Sequence, residues 1–167
     1  RTREQVATEL PPKAEQLIYC EMTEEQQTYY ERVKSEYRNS ILELLEDNSN
    51  KDGKLKGATQ ITLLQGLAKL RQIANHPALI DEEYTGSSGK FEQVLEHLET
   101  VLQRGNKVLI FSQFVKQLTL FRNHFDRHHI TYAYLDGGTS DRGAVVERFR
   151  QDDEVRVFLI SLKAGGV

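Results

Sequence analysis

Several residue types and motifs are scarce in this chain, and each scarcity excludes a class of protein. The one cysteine, Cys20, cannot form an internal disulfide, so a disulfide-stapled secreted domain is excluded and a reducing, intracellular setting fits best. No apolar run is long enough for a membrane span, so none is expected. The start, Arg1 to Val6, has no apolar segment of the signal-peptide type.

The composition that remains is that of an ordinary soluble protein. The 167 residues are 38% hydrophobic and 28% charged, which suits one domain, or one domain with an appendage. The net charge of −3 is uneven, because residues 1–106 carry 13 Lys and Arg against 18 Asp and Glu, whereas residues 107–167 carry 9 against 7. This slight basic lean is weaker than the basic patch of an autonomous nucleic-acid binder, so any DNA contact should be weak in isolation.

Complete catalytic motifs are also missing. The segment Ser87–Lys90 resembles the tail of a phosphate-binding P-loop, but Tyr84 stands where the first glycine is needed and Phe91 where a serine or threonine should reach magnesium. We interpret it as a linker and helix start with its lysine in solvent. His124 and His128 share a helix face, but zinc needs a third ligand, so a solvated face is the better interpretation. We identify no catalytic constellation and no metal site.

Two helices are predicted in the first half. Thr23 to Gln26 matches a capping box, with the glutamine reaching back, so a helix should start there and run to about Glu46. A second should span roughly Thr59 to Ala74, because the residue before Pro77 is pushed out of the α region. Their apolar stripes predict an antiparallel pair. The stripes are Tyr30, Val33, Tyr37, Ile41, Leu44 and Leu45 in the first helix, and Leu63, Leu64, Leu67, Leu70 and Ala74 in the second.

Three other segments surround this pair. Leu17 to Cys20 is a short β-prone run that we interpret as an edge strand. Residues 47–53 form a polar, turn-rich loop that we expect to be mobile. Residues 81–89 have the composition of a linker, and we place the main boundary there.

The second half predicts an α/β fold with a parallel sheet. Three apolar runs, Lys107–Phe111, Thr131–Leu135 and Val155–Ile160, are typical of strands, and helices between them imply right-handed crossovers. Gly105 stands where a left-handed helix cap is wanted. The helical side chains predicted to be buried are Phe91, Val94, Leu95, Leu98, Val101 and Leu102, then Phe114, Leu118, Phe121 and Phe125, and then Val145, Val146 and Phe149.

The loops after the strands are the candidate sites. Asp136-Gly137-Gly138-Thr139 directly precedes a helix, which the threonine or the following serine can cap, and the free N–H groups there would suit a phosphate. Ser161, Lys163 and the pair Gly165-Gly166 could do the same after the last strand. In an equally good interpretation the glycines only make tight turns, and the spacing does not decide between the two.

Several strings of the sequence resemble one family. KVLIFSQF, YLDGGTSDR with Phe149 seven residues after Arg142, and VFLISLKAGGV are similar to the second motor lobe of Swi/Snf-type DNA translocases, which are ATPases of helicase superfamily two. LPPKAEQLIYCEMTEEQQTYYERV, ITLLQGLAKLRQIANHPALI and SGKFEQVLEHL resemble the stretch that joins the two lobes, including its helical protrusion. The resemblance covers nearly the whole chain, and its motifs are specific in combination.

The resemblance implies a fold and a division of the chain. The fold is α/β: an incomplete RecA-like (P-loop NTPase-type) parallel sheet with helices on both faces, preceded by an α-helical insertion. Residues 1–22 would be an inter-lobe segment with a short strand, 23–85 the helical protrusion, and 86–167 the second motor lobe, truncated at its C-terminal end.

The resemblance also implies roles for individual residues. The family couples ATP hydrolysis to translocation along duplex DNA, with ATP between two lobes, and phosphate contacts of this kind position a protein without reading sequence. Coupling to the nucleotide cleft would fall to Gly165 and Gly166. Contact with the DNA backbone would fall to Ser112, Gln113, Gly137, Gly138, Thr139, Arg142, Ser161 and Lys163.

The family parts that the chain lacks set further expectations. The P-loop lysine and the magnesium-binding acidic motif of the first lobe are absent, as are the arginines expected after Val167. We therefore expect no catalytic residue, metal or ATP hydrolysis in this fragment, and ATP with Mg²⁺ only in its parent. The expected partners are duplex DNA, the first motor lobe and a DNA-bound protein substrate, with no membrane. The location would be intracellular: the cytoplasm of a bacterium or the nucleus of a eukaryote.

Two rival interpretations stay open. In the first, the helical pair, residues 23–80, docks a partner protein and the α/β part is only a scaffold, which would require a large exposed apolar patch. In the second, a small ligand binds an α/β domain at Gly137–Thr139, which would require a closed pocket within the chain.

Overall fold

The structure, a computed structural model, describes residues 14–46 and 57–164. The predicted loop 47–53 and the Gly165-Gly166 pair lie outside these ranges. None of the helices within them is long and apolar enough to cross a lipid bilayer. The elements are α1 (Glu24–Glu46), α2 (Gly57–Ile73), a 3-10 turn (Pro77–Leu79), α3 (Gly89–Gln103), β1 (Val108–Ser112), α4 (Val115–Arg127), β2 (Tyr132–Leu135), α5 (Arg142–Gln151) and β3 (Val157–Ser161).

The three strands form one parallel sheet in the order β1-β3-β2. Val157 pairs with Val108 on one side and with Tyr132 on the other, so β3 is the central strand. Every residue of β3 is buried, as expected for a strand covered on both faces. The predicted α/β class with a parallel sheet is confirmed.

Helices cover both faces of the sheet, as predicted. On one face α3 and α4 pack around Phe125, Val157 and Leu159. On the other face α5 packs around Phe158 and Ile160, and the alternation along β3 follows from the period of two of a strand. The prediction that Val146 is buried is wrong: the side chain is exposed, because Val145 and Phe149, one helical turn apart, occupy the buried face of α5.

The caps of the helices follow the sequence only in part. Thr23 Oγ1 accepts from the Gln26 N–H at 3.2 Å, so the predicted start of α1 is confirmed. Gly105 adopts φ +76°, the left-handed region predicted for it. Neither of the two caps proposed for α5 is used, since the helix begins one residue later and Asp141 Oδ1 accepts from the Ala144 N–H at 2.8 Å.

The Gln26 side chain does not reach back within its own helix, so the second half of the predicted capping box is wrong. Its Nε2 donates to Ile73 O at 2.8 Å and its Oε1 accepts from the Gly89 N–H at 3.1 Å. Ser88, which was assigned to a linker, is buried and donates through Oγ to Asn75 O at 2.7 Å. These contacts form a junction between the α1–α2 pair and the start of α3.

Two further predictions in the first half are wrong. Leu17 to Cys20 is not a strand, because it pairs with no other strand of the described residues, and Leu17 is 84% exposed. The apolar face assigned to α2 is also displaced: Leu64 is 66% exposed, and Gly66 lies against the Tyr37 ring instead. The α2 sequence is apolar on several sides, so its stripe did not define one face.

Candidate nucleic-acid interface

The candidate interface is the edge of the sheet at which all three strands end. Ser112 pairs with Ser161, and Leu135 pairs with Ile160, so the strands end at nearly the same level. The loops after β1, β2 and β3 therefore lie side by side. In open α/β sheets this carboxyl edge is where ligands bind.

The loop after β1 is held by a serine. Ser112 Oγ accepts from the Phe114 N–H at 3.0 Å and lies 3.2 Å from Phe114 O, so its hydroxyl is used within the turn. Gln113 between them is exposed. Phe114 provides no side-chain cap for α4. Of the two residues predicted in this loop, Gln113 is thus the one whose side chain is available to a ligand.

The loop after β2 is built around Asp136. Its Oδ1 accepts from the Gly138 N–H at 2.9 Å and from Thr139 Oγ1 at 3.3 Å, and its own N–H donates to Thr139 Oγ1 at 3.0 Å. Gly137 and Gly138 are exposed on the outside of this turn. The carboxylate and the threonine fill the inside, so the turn does not enclose a small ligand. The prediction of free N–H groups for a phosphate is wrong at Gly138 and Thr139, because both N–H groups donate to Asp136.

A chain of side chains fixes that carboxylate. Tyr134 OH donates to Asp136 Oδ2 at 2.8 Å, and the Arg122 guanidinium lies 4.5 Å from the centre of the Tyr134 ring. The Tyr134 hydroxyl, followed by the Gly138 N–H and the Thr139 hydroxyl, holds the pKa of Asp136 below its ordinary value. Burial, followed by the Asp136 carboxylate, raises the pKa of Tyr134. The turn therefore keeps an ionised carboxylate at neutral pH.

The loop after β3 carries one exposed cation. Lys163 is exposed, while Ala164 beside it is buried. Leu162 N donates to Ser112 O at 2.9 Å, which ties this loop to the end of β1. Arg142, the first residue of α5, donates from Nη1 to Ala164 O at 3.1 Å. Gly165 and Gly166, which were predicted to couple this loop to the nucleotide cleft, lie outside the described residues.

Two buried polar atoms near this edge have no hydrogen-bond partner among the described residues. They are the hydroxyl of Ser161, which is 1% exposed, and Gln117 Oε1 in the first turn of α4. A buried polar atom without a partner costs free energy. Sequence reasoning identified Ser161 but not Gln117, although Gln117 stands between Phe114 and Phe121 on the buried face of its helix.

The structure thus brings the predicted residues of three loops to one edge, but it gives them different tasks. Gln113 and Lys163 have exposed side chains, and Ser112 and Thr139 donate or accept within the protein. Arg142 does both, since it is exposed and also donates to Ala164 O. Asp136 and Tyr134, which organise the β2 loop, were missed as site residues. The period of two along β2 could have shown that Tyr134 shares a face with Tyr132.

The segment Ser87–Lys90, which resembles the tail of a P-loop, makes other contacts. Ser88 caps α3 by accepting from the Phe91 N–H at 3.2 Å, and Lys90 donates to Asn75 Oδ1 at 3.3 Å, so this stretch is a helix start and not a phosphate loop. No group of three or more His, Cys, Asp or Glu within residues 14–46 and 57–164 is arranged to hold a metal ion.

The two histidines of α4 lie in a groove between α3 and α4. The ring centroids of His124 and His128 are 4.3 Å apart, and the groove of about 690 Å³ is also lined by Glu92, Glu96 and Glu99. Burial, followed by the neighbouring His128 and Arg127, lowers the pKa of His124. His124 is half-buried, so the predicted solvated face applies fully only to His128.

Comparison with known families divides the chain in two. The family profile of the SNF2-related domain matches residues 1–79. The profile of the helicase conserved C-terminal domain matches residues 89–167. Together they leave only residues 80–88 unmatched, which include all but the last residue of the predicted linker.

Individual relatives agree with both profiles. The chain is 27% identical over 178 residues to the DNA excision repair protein CSB of Oryza sativa subsp. japonica, and 31% identical over 188 residues to the ATP-dependent helicase brm of Drosophila melanogaster. All of this chain is covered, but only 14% and 11% of those two proteins, so it spans a small part of these curated relatives.

A solved structure supports the fold. The SWI2/SNF2 ATPase C-terminal domain of Sulfolobus solfataricus matches with a TM-score of 0.73 and 30% identity, over 89% of this chain and 63% of that one. The predicted RecA-like lobe fold is confirmed by this likeness.

Proposed function

The chain belongs to the Swi/Snf-type (SNF2) family, and from this premise we propose that it is the second motor lobe, with its preceding helical protrusion, of a longer DNA-translocating ATPase. We divide it into an inter-lobe segment (1–22), the protrusion (23–85) and the lobe (86–167). The observation that carries the proposal is the convergence of three motif-bearing loops on the carboxyl edge of the sheet.

That edge holds one side of duplex DNA by its backbone. Lys163 supplies an exposed charge, and Gln113 an exposed amide. Ser112, Gly137, Gly138, Thr139, Arg142 and Ser161 complete the surface or support it. Contacts of this kind are independent of base sequence, as a translocase requires. Residues 107–167 carry only a small excess of positive charge. This agrees with an edge that needs the rest of the motor to bind DNA tightly.

ATP and Mg²⁺ act in the longer protein and not in this chain alone. ATP supplies the free energy for lobe closure, and Gly165 and Gly166 link the DNA-facing loop to its cleft. The residues of this chain position one wall of that cleft. We propose that the fragment by itself does not hydrolyse ATP, because phosphoryl transfer requires a P-loop, a metal site and transition-state cations together.

The partners follow from this role. The first motor lobe of the same protein faces the edge, duplex DNA lies across it, and a DNA-bound protein is the substrate that translocation displaces or remodels. The protein acts inside the cell, in the nucleus of a eukaryote or the cytoplasm of a bacterium. Alternation between open and closed lobes would step the DNA.

The experiment replaces the exposed lysine in the longer protein that carries this chain. Lys163→Ala should weaken DNA-stimulated ATP hydrolysis and leave the DNA-independent rate unchanged, because it removes a phosphate contact and no nucleotide contact. Arg104→Ala is the matched control, because it removes an exposed cation at the end of α3, just before β1 and therefore at the opposite end of the strands. Equal DNA stimulation in the two variants would contradict the assignment of this edge to DNA.

A second candidate function, docking of an amphipathic helix by the α1–α2 pair, is favoured by one observation. The pair has a groove of about 230 Å³ with an almost entirely apolar lining, formed by Tyr37, Ile41, Leu42, Leu63, Gly66, Leu67 and Leu70 together with Lys34 and Arg38. Lys69 lies beside it, 5.5 Å from the Tyr37 ring. Lys34 is already paired with Glu31 at 3.0 Å, so the charge argument rests on Arg38 and Lys69. These two cations favour an occupant with Asp or Glu beside its leucines.

The test of this second function uses two synthetic helices that differ only in charge. A peptide with leucines at helical spacing and glutamates elsewhere should bind, and its lysine counterpart should bind more weakly. Leu67→Gln should abolish the difference, while Leu109→Gln, an exposed leucine on β1, should not. Equal binding of both peptides would exclude this function.

A further inference from the structure

Arg142 is bonded to the loop that follows β3, although the family resemblance assigns it to DNA. Its Nη1 donates to Ala164 O at 3.1 Å, across 22 positions of sequence. Ala164 is buried and belongs to the core beneath α5, so its carbonyl is a fixed acceptor. The contact joins the first residue of α5 to the end of the turn that begins at Ser161.

The turn after β3 is held at three points. Leu162 N donates to Ser112 O at 2.9 Å, and Ala164 N donates to Ser161 O at 2.9 Å. The third point is the Arg142 guanidinium. Lys163 stands between the two main-chain bonds with its side chain exposed. The direction of that side chain therefore depends on all three restraints, and only the third is supplied by a side chain.

The backbone from which the Arg142 side chain extends is also fixed. Asp141, the residue before it, caps α5, and the turn organised by Asp136 lies just upstream. The guanidinium thus connects the loop after β2 with the loop after β3. Arg142 is exposed, but because its Nη1 already donates to a carbonyl, fewer of its N–H groups are free for the bidentate phosphate contact that arginine favours.

We propose that Arg142 is a positioning residue: it locks the turn 161–164 to the loop between β2 and α5, and it acts on DNA through that turn instead of binding a phosphate itself. The consequence for DNA rests on the proposed function, whereas the lock is a property of the free protein. The two can therefore fail separately.

Hydrogen exchange of the longer protein without DNA or nucleotide tests the lock. In Arg142→Ala the amides of Leu162 and Ala164 should exchange about fivefold faster or more, the size expected for one partly exposed bond from a charged donor. Arg148→Ala, which removes an arginine from the same helix, should leave both amides unchanged. Unchanged exchange in Arg142→Ala would overturn the proposal, and an unchanged melting temperature shows that the variant is folded.

The second measurement separates positioning from direct contact. For a positioning residue, Arg142→Ala lowers kcat for ATP hydrolysis severalfold at saturating DNA and leaves the salt dependence of DNA binding unchanged. A direct phosphate contact would instead lower the slope of log K against log salt by about one and preserve kcat at saturating DNA, and this result would overturn the proposal. If hydrolysis by the unmodified protein ignores DNA, the proposed function fails, while the exchange result still decides whether the lock exists.

Discussion

The sheet half and the α1–α2 pair of this molecule are stabilised differently. The sheet half has a core on each face, with Leu118, Phe125 and Leu159 fully buried. Along the pair of helices, Val33 is the one apolar side chain of α1 that is buried. In α2, Ile73 is fully buried at the end near the junction, whereas Leu64 and Leu67 are exposed. The sheet half is therefore stabilised by its own packing, whereas the helical pair depends on its junction with α3 and on whatever covers its apolar surface.

The junction between the helical pair and α3 is polar, unlike the apolar cores of the sheet half. One buried amide, that of Gln26, serves α2 through Ile73 and α3 through Gly89. An alanine could not replace Gly89, because an added Cβ would collide with the carbonyl oxygen of Glu21. Polar contacts of this kind have directional requirements that apolar packing lacks, so they fix the angle at which the pair leaves the lobe.

The largest expected effect comes from the sheet core. Phe125→Ala should lower the free energy of unfolding of this chain by about 3–5 kcal/mol, since it removes a fully buried ring and leaves a cavity. Leu64→Ala on the exposed side of α2 should change it by no more than about 0.5 kcal/mol. Urea unfolding measures both, and similar losses in the two variants would refute the contrast between the halves.

The next effect isolates the junction. Gln26→Leu leaves Ile73 O and the Gly89 N–H without their partner, which should cost about 1–3 kcal/mol. Gln27→Leu makes the same change at the exposed neighbouring position and is the matched control. Hydrogen exchange should quicken in α1 and α2 and stay slow in β3. Faster exchange in β3 to the same degree would mean that the halves unfold as one unit.

The smallest effect is a pH dependence at the same junction. Burial lowers the pKa of His76, whose Nδ1 accepts from the Ala78 N–H at 3.1 Å and must be neutral to do so. The pKa of His76 is near 6.5 in the unfolded chain and lower in the folded chain. Between these two values the unfolded chain binds more protons than the folded chain. Stability is therefore fully present above pH 6.5 and falls as the pH drops through the folded pKa.

The measurement is the melting temperature across that interval. His76→Asn keeps a capping side chain but cannot titrate, so its melting temperature should fall less on acidification than that of the unmodified chain. Some dependence should persist, because the lowered pKa of His124 acts with the same sign. His97→Asn, at an exposed position of α3, is the control, and an equal change in both variants would exclude His76 as the source.

Local signals in the sequence predicted most of the fold. The Thr23 cap, the left-handed Gly105 and the three strands are set by residues close together in the chain, and these predictions hold. The predictions failed where a partner that is distant in sequence determines the local structure. Gln26 matches a local motif, yet its partners lie 47 and 63 residues away. Leu17 has β propensity but no neighbouring strand within residues 14–46 and 57–164.

The candidate site shows the same difference between features set by local sequence and features set by distant contacts. Its loops could be located from the ends of three apolar runs, because parallel strands end at a common edge. The tasks of its side chains could not, since the bond from Arg142 to Ala164 and the buried hydroxyl of Ser161 depend on how two loops meet. The family resemblance indicated which residues belong to this edge. The geometry separates the side chains that are exposed from those that bond within the protein.

The most direct test of the account is steady-state ATP hydrolysis by the longer protein beside this chain, each with and without duplex DNA. We predict strong stimulation by DNA in the longer protein and no hydrolysis by the chain alone. Hydrolysis that ignores DNA in the longer protein would contradict the translocase assignment, and hydrolysis by the chain alone would contradict the claim that it is one half of a motor.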